Sequence, residues 1–431
     1  METSHATPVT APPPTFPAAP RTNLPRGAVL LFACASGLSV ANVYYAQPLL
    51  DALMADFSIS AGAIGGVVTA TQLGCALALL LLVPLGDLVE RRRLMLAQVL
   101  ALAGALAAVA LAPSVTVLLA GMLLTGLLGT AMTQGLIAYA ATAAGPHERG
   151  RVVGTAQSGV FIGLLLARVV AGGVSDVAGW RNVYVCAAAA MLGLAWLLWR
   201  ALPVVASAGQ RMRYASLVAS MFLLLRRNRV LQIRGTIALL MFAAFNILWS
   251  ALVLPLSAPP YGLSHTAIGA FGLVGAVGAL AAARAGRWAD QGFGQRTTLA
   301  ALVLLVAAWL PLSWLETSLW PLAIGIVLLD LGGQAIHVTN QSMIFRTDPA
   351  AHSRLVGAYM LFYAAGSGLG AIATTAVYDA AGWRGVCVLG AVVSLLALVF
   401  WAATRRFMPA QAAQAGTPVI AKIGRQEARK P

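Results

Sequence analysis

Asp330, Gln334, His337 and Gln341 are spaced i, i+4, i+7 and i+11, which places all four within about 60° of one face of an α-helix. A carboxylate, an imidazole and two amides in a row can pass a proton, neutralise a cation or hydrogen-bond a polar solute. Arg168 is the other strong charge buried in an apolar run. Its guanidinium stays charged in proteins, so it is a candidate counter-ion for Asp330, a receptor for an anionic group, or a donor to carbonyls around Gly172. His337 has two readings: it titrates together with Asp330, or it forms a hydrogen-bonded joint between helices. Asn42, Tyr45, Gln47, Gln134, Asn246 and Trp249 are further candidates for lining a polar site.

The elements that must hold these groups are set by the solvent around them. Hydrophobic residues make up 60% of the 431 and charged residues 10%, against roughly 45–50% and 25% in soluble domains. A helix needs about 20 apolar residues to cross the hydrocarbon, and the chain divides into twelve such spans: 27–50, 61–85, 94–112, 115–141, 152–174, 181–202, 233–256, 266–288, 298–315, 320–343, 355–378 and 383–404. An ionisable group at the middle of a span costs at least about 2.5 kcal/mol on insertion scales, so Asp330 and Arg168 must face protein or water.

The chain also repeats itself. Arg151, Gly154, Gly163, Asp176 and Gly179-Trp180-Arg181 recur 203 residues later as Arg354, Gly357, Gly366, Asp379 and Gly382-Trp383-Arg384. The same offset carries Asp87 onto Asp290 and Gly129 onto Gly332. Six spans per copy is an even number, so the copies run parallel, related by an axis along the membrane normal. The expected architecture is an all-α membrane protein of two pseudo-symmetric six-helix bundles, residues 27–202 and 233–404, joined by a loop at 203–232 and flanked by a disordered N-terminal tail at 1–26 and a C-terminal tail at 405–431. Such a pair of halves can hold a site on the seam and rock to expose it alternately, which points to transport. The echo breaks where charge is deepest: Arg168 meets Ala371, Asp330 meets Leu127, and His337 meets Gln134.

Between spans 2 and 3 the sequence reads Pro84-Leu85-Gly86-Asp87-Leu88-Val89-Glu90-Arg91-Arg92-Arg93, and its partner between spans 8 and 9 runs from Gly286 to Arg296 through Asp290. A carboxylate at a helix end followed by guanidinium groups can pair with them and with a neighbouring helix N-terminus, forming a latch. With this duplicated loop and twelve spans, the chain resembles the major facilitator superfamily, whose signature is G-x-L-x-D-R-x-G-R-R. Val83, Leu88 and Glu90 depart from the signature, while Asp87, Arg91 and Arg92 match it. The resemblance implies a gating role for these three, with Asp87 facing the start of span 11, and for Asp290 and Arg296 in the second copy. The run Asn42-Val43-Tyr44-Tyr45-Ala46-Gln47-Pro48-Leu49-Leu50 is similar to the bacterial twelve-span drug:proton antiporter and sugar-efflux-like branch. Met122 stands four residues before Gly126 where that branch has Arg, and Arg168-Val169-Val170-Ala171-Gly172-Gly173 stands where antiporters read G-P-x-x-G-G.

Most Arg and Lys residues, from Arg21 and Arg26 through Arg91–Arg93, Arg149, Arg200–Arg234, Arg284–Arg296 and Arg346 to the tail beyond Arg405, fall on one side, and only Arg181 and Arg384 on the other. By the positive-inside rule that side and both termini are cytoplasmic, and the formal charge of +15 reflects topology rather than nucleic-acid binding. Part of 203–232 is expected either to lie as an amphipathic helix on lipid or to act as a solvated tether. The four cysteines lie apart within apolar runs, so no metal site, disulfide or cofactor is expected. The resulting expectation is a monomeric, proton-coupled exporter of a small organic compound in a bacterial inner membrane, with uptake as the alternative direction. A membrane enzyme lacks support from any catalytic motif, and a sensor from any soluble signalling domain.

Overall fold

A computed structural model describes residues 25–86, 88–145, 148–202, 214–277, 284–345, 347 and 352–408. Asp87, the side chain of Asp290, the tail residues 1–24 and 409–431 and loop residues 203–213 lie outside that description. The described residues are helical with no strand. Among the described residues nine helices are long and apolar enough to cross a membrane; the last, Arg354–Phe407, is broken at Gly382 (φ 61) and is long enough for two crossings. Two shorter apolar helices, Arg26–Ala41 and His265–Val277, supply spans 1 and 8 and complete the twelve.

Several spans end differently from the hydropathy pattern, each for a local reason. Span 1 stops being helical at Asn42, although the apolar run continues to Leu50. Pro48 has no N–H to give the Tyr44 carbonyl, and its ring crowds that oxygen. The chain tightens instead: Tyr44 N–H donates to Ala41 O at 2.9 Å and Gln47 N–H to Tyr44 O at 3.3 Å, before a short 3₁₀ turn, Gln47–Leu49, and the helix Leu50–Phe57. Backbone of this kind is tolerated at depth where it lines a cavity. Spans 5 (Arg149–Ala178) and 6 (Trp180–Ala201) meet at Gly179, where φ is 86, a conformation that side chains resist. Gly382 does the same between spans 11 and 12, so the Gly-Trp-Arg echo is a pair of tight corners. Arg181 bonds Asp56 and the Ala112 carbonyl, and Arg384 bonds Glu316 at 3.1 Å, pinning each corner to the preceding loop.

Small residues set the spacing within each half. A Cβ on Gly163 would lie 2.2 Å from the Gly37 carbonyl, and one on Gly366, its echo, 2.1 Å from the Leu239 carbonyl. Spans 1 and 5, and spans 7 (Arg229–Ala251) and 11, therefore touch backbone to backbone. The loop between halves includes a helix, Tyr214–Arg227, whose Met221 is buried and whose Tyr214 hydroxyl donates to Leu81 O at 2.8 Å. Arg234, grouped by sequence with the basic loop residues, is instead fully buried in span 7. Its Nη1 donates to Thr298 Oγ1 at 2.8 Å, while Asn340 Nδ2 donates to its carbonyl at 3.2 Å.

Candidate functional site

The two halves meet tightly at one end of the bundle. At the face opposite the basic loops, a Cβ on Gly172 in span 5 would lie 2.2 Å from the His265 carbonyl at the start of span 8, and one on Gly269 in span 8 would lie 2.3 Å from the Arg168 carbonyl. Asp176, near the end of span 5, accepts the backbone N–H groups of His265 (3.0 Å) and Thr266 (2.8 Å) and the Thr266 hydroxyl (2.6 Å). A carboxylate at a helix N-terminus satisfies donors that have no partner inside the helix. The His265 ring lies between two carboxylates, with Nδ1 3.0 Å from Asp176 and Nε2 3.0 Å from Asp51. The 203-residue echo of this joint is span 11 against span 2: a Cβ on Gly62 would lie 3.0 Å from Asp379, Thr375 donates to Gly62 O, and Thr69 donates to Gly368 O at 2.9 Å.

Beneath this closure lies a cavity of about 560 Å³ on the seam. It reaches Ile137, Gln157, Phe345 and Val356, near the span ends that carry the basic loops, so its long axis runs toward that face. Arg168 and Asp330 both line it, and so do Gln47, Gln134, Asn246, Trp249, Gln334, His337 and Gln341. The helical spacing that grouped Asp330 with Gln334, His337 and Gln341 thus does bring all four to one wall.

Asn42 and Tyr45 are not among the lining residues. Where span 1 loosens, Asn42 turns inward, its Nδ2 donating to Leu38 O at 2.8 Å and meeting Met191 Sδ at 3.7 Å, so it joins spans 1 and 6. Tyr45 is buried on the same side of the seam, while Tyr44, its neighbour, faces the cavity and hydrogen-bonds Tyr363 of the other half. Tyr44, Phe161, Phe242, Phe245 and Tyr363 are lining residues that polarity alone did not find. The signal for Tyr44 is its place one residue from Tyr45 beside the helix-breaking Pro48.

Arg168 is 4% exposed and linked to the other half through Gln47: its Nε donates to Gln47 Oε1 at 2.8 Å within the first half, and Gln47 Nε2 donates across the seam to Asn246 Oδ1 at 3.3 Å. Its guanidinium lies 4.2 Å from the Trp249 ring centroid and 5.3 Å from that of Tyr44, within cation–π range of both. Asp330, also 4% exposed, does not form an ion pair with Arg168 within 4.0 Å, and its Oδ2 has no hydrogen-bond partner. Both side chains lean on span 8, where a Cβ on Gly272 would lie 3.4 Å from Arg168 Cδ and one on Gly275 would lie 2.1 Å from Asp330 Oδ2. Glycines one turn apart make room for the two charges. His337 bonds elsewhere, with Nδ1 3.0 Å from the Tyr359 hydroxyl and Nε2 3.3 Å from Gln341 Nε2. It stands about 10 Å along the helix from Asp330.

Of the residues expected to gate, Arg91, Arg92 and Arg296 lie at the basic face and are not among the residues lining this cavity, while Asp87 and the side chain of Asp290 lie outside the described residues. Arg91 donates to Gly86 O, Ala138 O and Thr142, and Arg92 Nη2 donates to Trp199 O at 2.6 Å, which ties the loop to spans 4 and 6. Arg296 packs 5.7 Å from the Phe293 ring.

The chain matches the family model described as Major Facilitator Superfamily over residues 32–285 and again over 234–427. It is 43% identical over 382 residues to the protein described as "Uncharacterized transporter YgaY" of Escherichia coli O157:H7, covering 89% of this chain and 96% of that one. It is 33% identical over 378 residues to "Probable transporter SCO4007" of Streptomyces coelicolor, covering 87% and 86%. Among solved structures, a bacterial homologue of the human lysosomal transporter Spinster, inward-facing and unoccupied, superposes with a TM-score of 0.70 at 16% identity over 90% of this chain and 98% of that one. The nucleoside transporter NupG gives 0.70 at 13% identity over 87% and 99%.

Proposed function

Because the chain belongs to the major facilitator superfamily, and is a membrane-spanning transporter rather than an enzyme, we propose that it exports a small organic compound in a proton-coupled cycle across a bacterial inner membrane. Alternating access is general to this fold. The cavity on the seam is the binding site, and the Gly172–His265 and Gly62–Thr375 joints form the gate that is closed here. With the basic loops cytoplasmic by the positive-inside rule, the cavity points to the cytoplasm and loads from it. Export is also what the similarity of the span 1 ending implies.

The observation that carries the coupling is Asp330: a carboxylate in the cavity wall, in no ion pair among the described residues, with one oxygen lacking a donor. A buried acid of this kind is a place where a proton can be held and surrendered as the halves rock. His337, committed to Tyr359 and Gln341, orders the cytoplasmic end of the wall. Gln47, Gln134, Asn246, Gln334 and Gln341 present amides to the solute, and the Asp87-to-Arg92 loop with its Asp290–Arg296 counterpart latches the cytoplasmic ends when the cavity turns outward.

The test is flux in proteoliposomes holding the purified protein as a monomer. Compounds that a strain lacking the transporter fails to expel are the substrates to load, with and without an imposed pH gradient. Wild-type flux should respond to the gradient, and Asp330→Asn should retain solute exchange while losing that response. An Asp330→Asn protein that still follows the gradient ends the coupling role; a wild type that moves nothing ends the transport reading.

A further inference from the structure

Among the described residues the cavity holds one fixed cation, and its surroundings leave a particular edge of that cation unused. Arg168 has five N–H donors in a planar fork. Trp249 and Tyr44 lie within cation–π range of it, and Nε is spent on Gln47. The two terminal nitrogens have no acceptor among the described residues. Unlike the Nε and Nη2 of Arg234, they are not sealed from the surrounding space. A guanidinium with its terminal edge open to a cavity is matched by a planar, bidentate anion.

The rest of the lining narrows the class. Tyr44, Phe161, Phe242, Phe245, Trp249 and Tyr363 give the cavity flat apolar walls. Its volume of about 560 Å³ falls within the range of about 300–1,000 Å³ typical of sites for drug-sized molecules. Arg168 is the sole Arg or Lys among the described lining residues, so a single negative charge is balanced there and a second one, as on a phosphate monoester, is not. Asp330 offers a narrower seat for a cation, because Oδ2 is closed in against the backbone at Gly275 and has no accessible surface, which leaves Oδ1 alone to face the cavity. At Oδ2 a proton fits and an ammonium group does not, so a cation would have one carboxylate oxygen where an anion has the two terminal nitrogens of Arg168.

We propose that the substrate is a small organic monoanion, a carboxylate on a flat apolar body, whose carboxylate is received by the terminal nitrogens of Arg168 and whose body lies against Trp249 and the neighbouring aromatic rings. The proposal rests on the transporter reading above and adds a sign to its coupling. While the cavity is empty, Arg168 and Asp330 balance each other across it. When a carboxylate occupies Arg168, an ionised Asp330 beside it is a second negative charge without a counter-ion in a low-dielectric space. Anion and proton are therefore taken up together and cross together, and by linkage each strengthens the other's binding by the same factor. Export then runs down the outward gradient of the acid. A cationic substrate would compete with the proton and exchange for it, the arrangement that the antiporter resemblance implies.

Binding to the purified full-length protein tests this without interference from passive permeation of weak acids. The probes are radiolabelled 1-naphthoate and its cationic analogue 1-naphthylmethylammonium, measured from roughly pH 5.5 to 8, where both keep their charge. The expected result is that naphthoate binds and its Kd falls with falling pH, by up to about tenfold per unit for one linked proton. Arg168→Lys should weaken it by at least about tenfold through loss of the fork, and Asp330→Asn should bind it with no pH dependence. Because Asp330→Asn is measured by binding and the wild-type pH profile needs no variant, a failure of Arg168→Lys to fold leaves the test intact. Binding of the ammonium in place of naphthoate, or naphthoate affinity that weakens as pH falls, overturns the proposal while leaving transport standing. Failure of the transporter reading shows differently, as naphthoate that binds but crosses proteoliposome membranes no faster than protein-free liposomes.

Discussion

Adding one methyl group at Gly172 should shift the whole protein between its two conformations. The Cβ of Gly172→Ala would sit 2.2 Å from the His265 carbonyl oxygen, 2.4 Å from its carbon and 2.7 Å from the Thr266 nitrogen, about 1.2 Å inside the 3.4 Å at which ordinary contact begins. The obstacle is backbone at a helix N-terminus, so no side chain can rotate away from it. Relief requires span 8 to retreat from span 5, and a retreat of that size stretches the 2.8 Å bond from Thr266 N–H to Asp176 beyond hydrogen-bonding range. Overpacking of this kind costs about 1–3 kcal/mol. The cost falls only on the conformation with this joint closed, so the equilibrium should move toward the opposite state by about five- to 150-fold. Spin labels at Gly150 and Thr347, in a background without Cys34, Cys75, Cys186 and Cys387, report the separation of the halves at the basic face. Gly172→Ala should enrich the short distance there. Gly173→Ala is the internal control, since its Cβ would meet Thr266 Oγ1 at a comfortable 3.7 Å. Identical distance distributions for wild type and Gly172→Ala would refute the reasoning, as would an equal shift in Gly173→Ala.

Three further outcomes follow from the same geometry. His265 opens span 8 outside the apolar run; its hydrogen bond to Asp51 and its contact with Asp176 raise its pKa above the ordinary imidazole value. The ring's contribution to the closed joint is therefore complete below about pH 6.5 and lost as pH rises through the raised value. The long label distance should shrink in population over that window, and His265→Gln should flatten the profile. Gly275→Ala would place a Cβ 2.1 Å from Asp330 Oδ2, so flux should lose its response to a pH gradient much as in Asp330→Asn, although no charge is removed. Thr298→Val takes away the acceptor 2.8 Å from the buried Arg234 Nη1, which should cost about 1.5–3 kcal/mol and appear as a lower Tm in detergent.

The fold was legible because the bilayer enforces it. Length and hydropathy give the spans, and the 203-residue echo gives the halves, since nothing else explains Gly179-Trp180-Arg181 recurring as Gly382-Trp383-Arg384. Asp330, Gln334, His337 and Gln341 were legible as a wall because an unbroken helix turns spacing into direction. Span 1 was not, because the break before Pro48 rotates its end by an amount that no periodicity records. Asn42 and Tyr45 therefore turned away from the cavity and Tyr44 into it. Arg234 was misplaced for a related reason: charge near a span end reads as loop, and only packing reveals that Thr298 and Asn340 hold it inside.

The positions where the two copies differ then acquire a physical meaning. Gates must close and open in both halves, so the elements that close them repeat: Asp176 with the start of span 8, Asp379 with the start of span 2. A solute on the symmetry axis needs the reverse, because identical charges facing each other across a narrow cavity would repel. Arg168 opposite Ala371 in the alignment, and Asp330 opposite Leu127, give the seam one charge of each sign. The glycines that admit them, Gly272 and Gly275, correspond to Thr69 and Gln72 in the first copy. There Thr69 is free to bond the Gly368 carbonyl and help shut the gate. One turn of span 8 is thus spent on holding charge where its counterpart in span 2 is spent on closure, so the copies are interchangeable as hinges and not as binding sites.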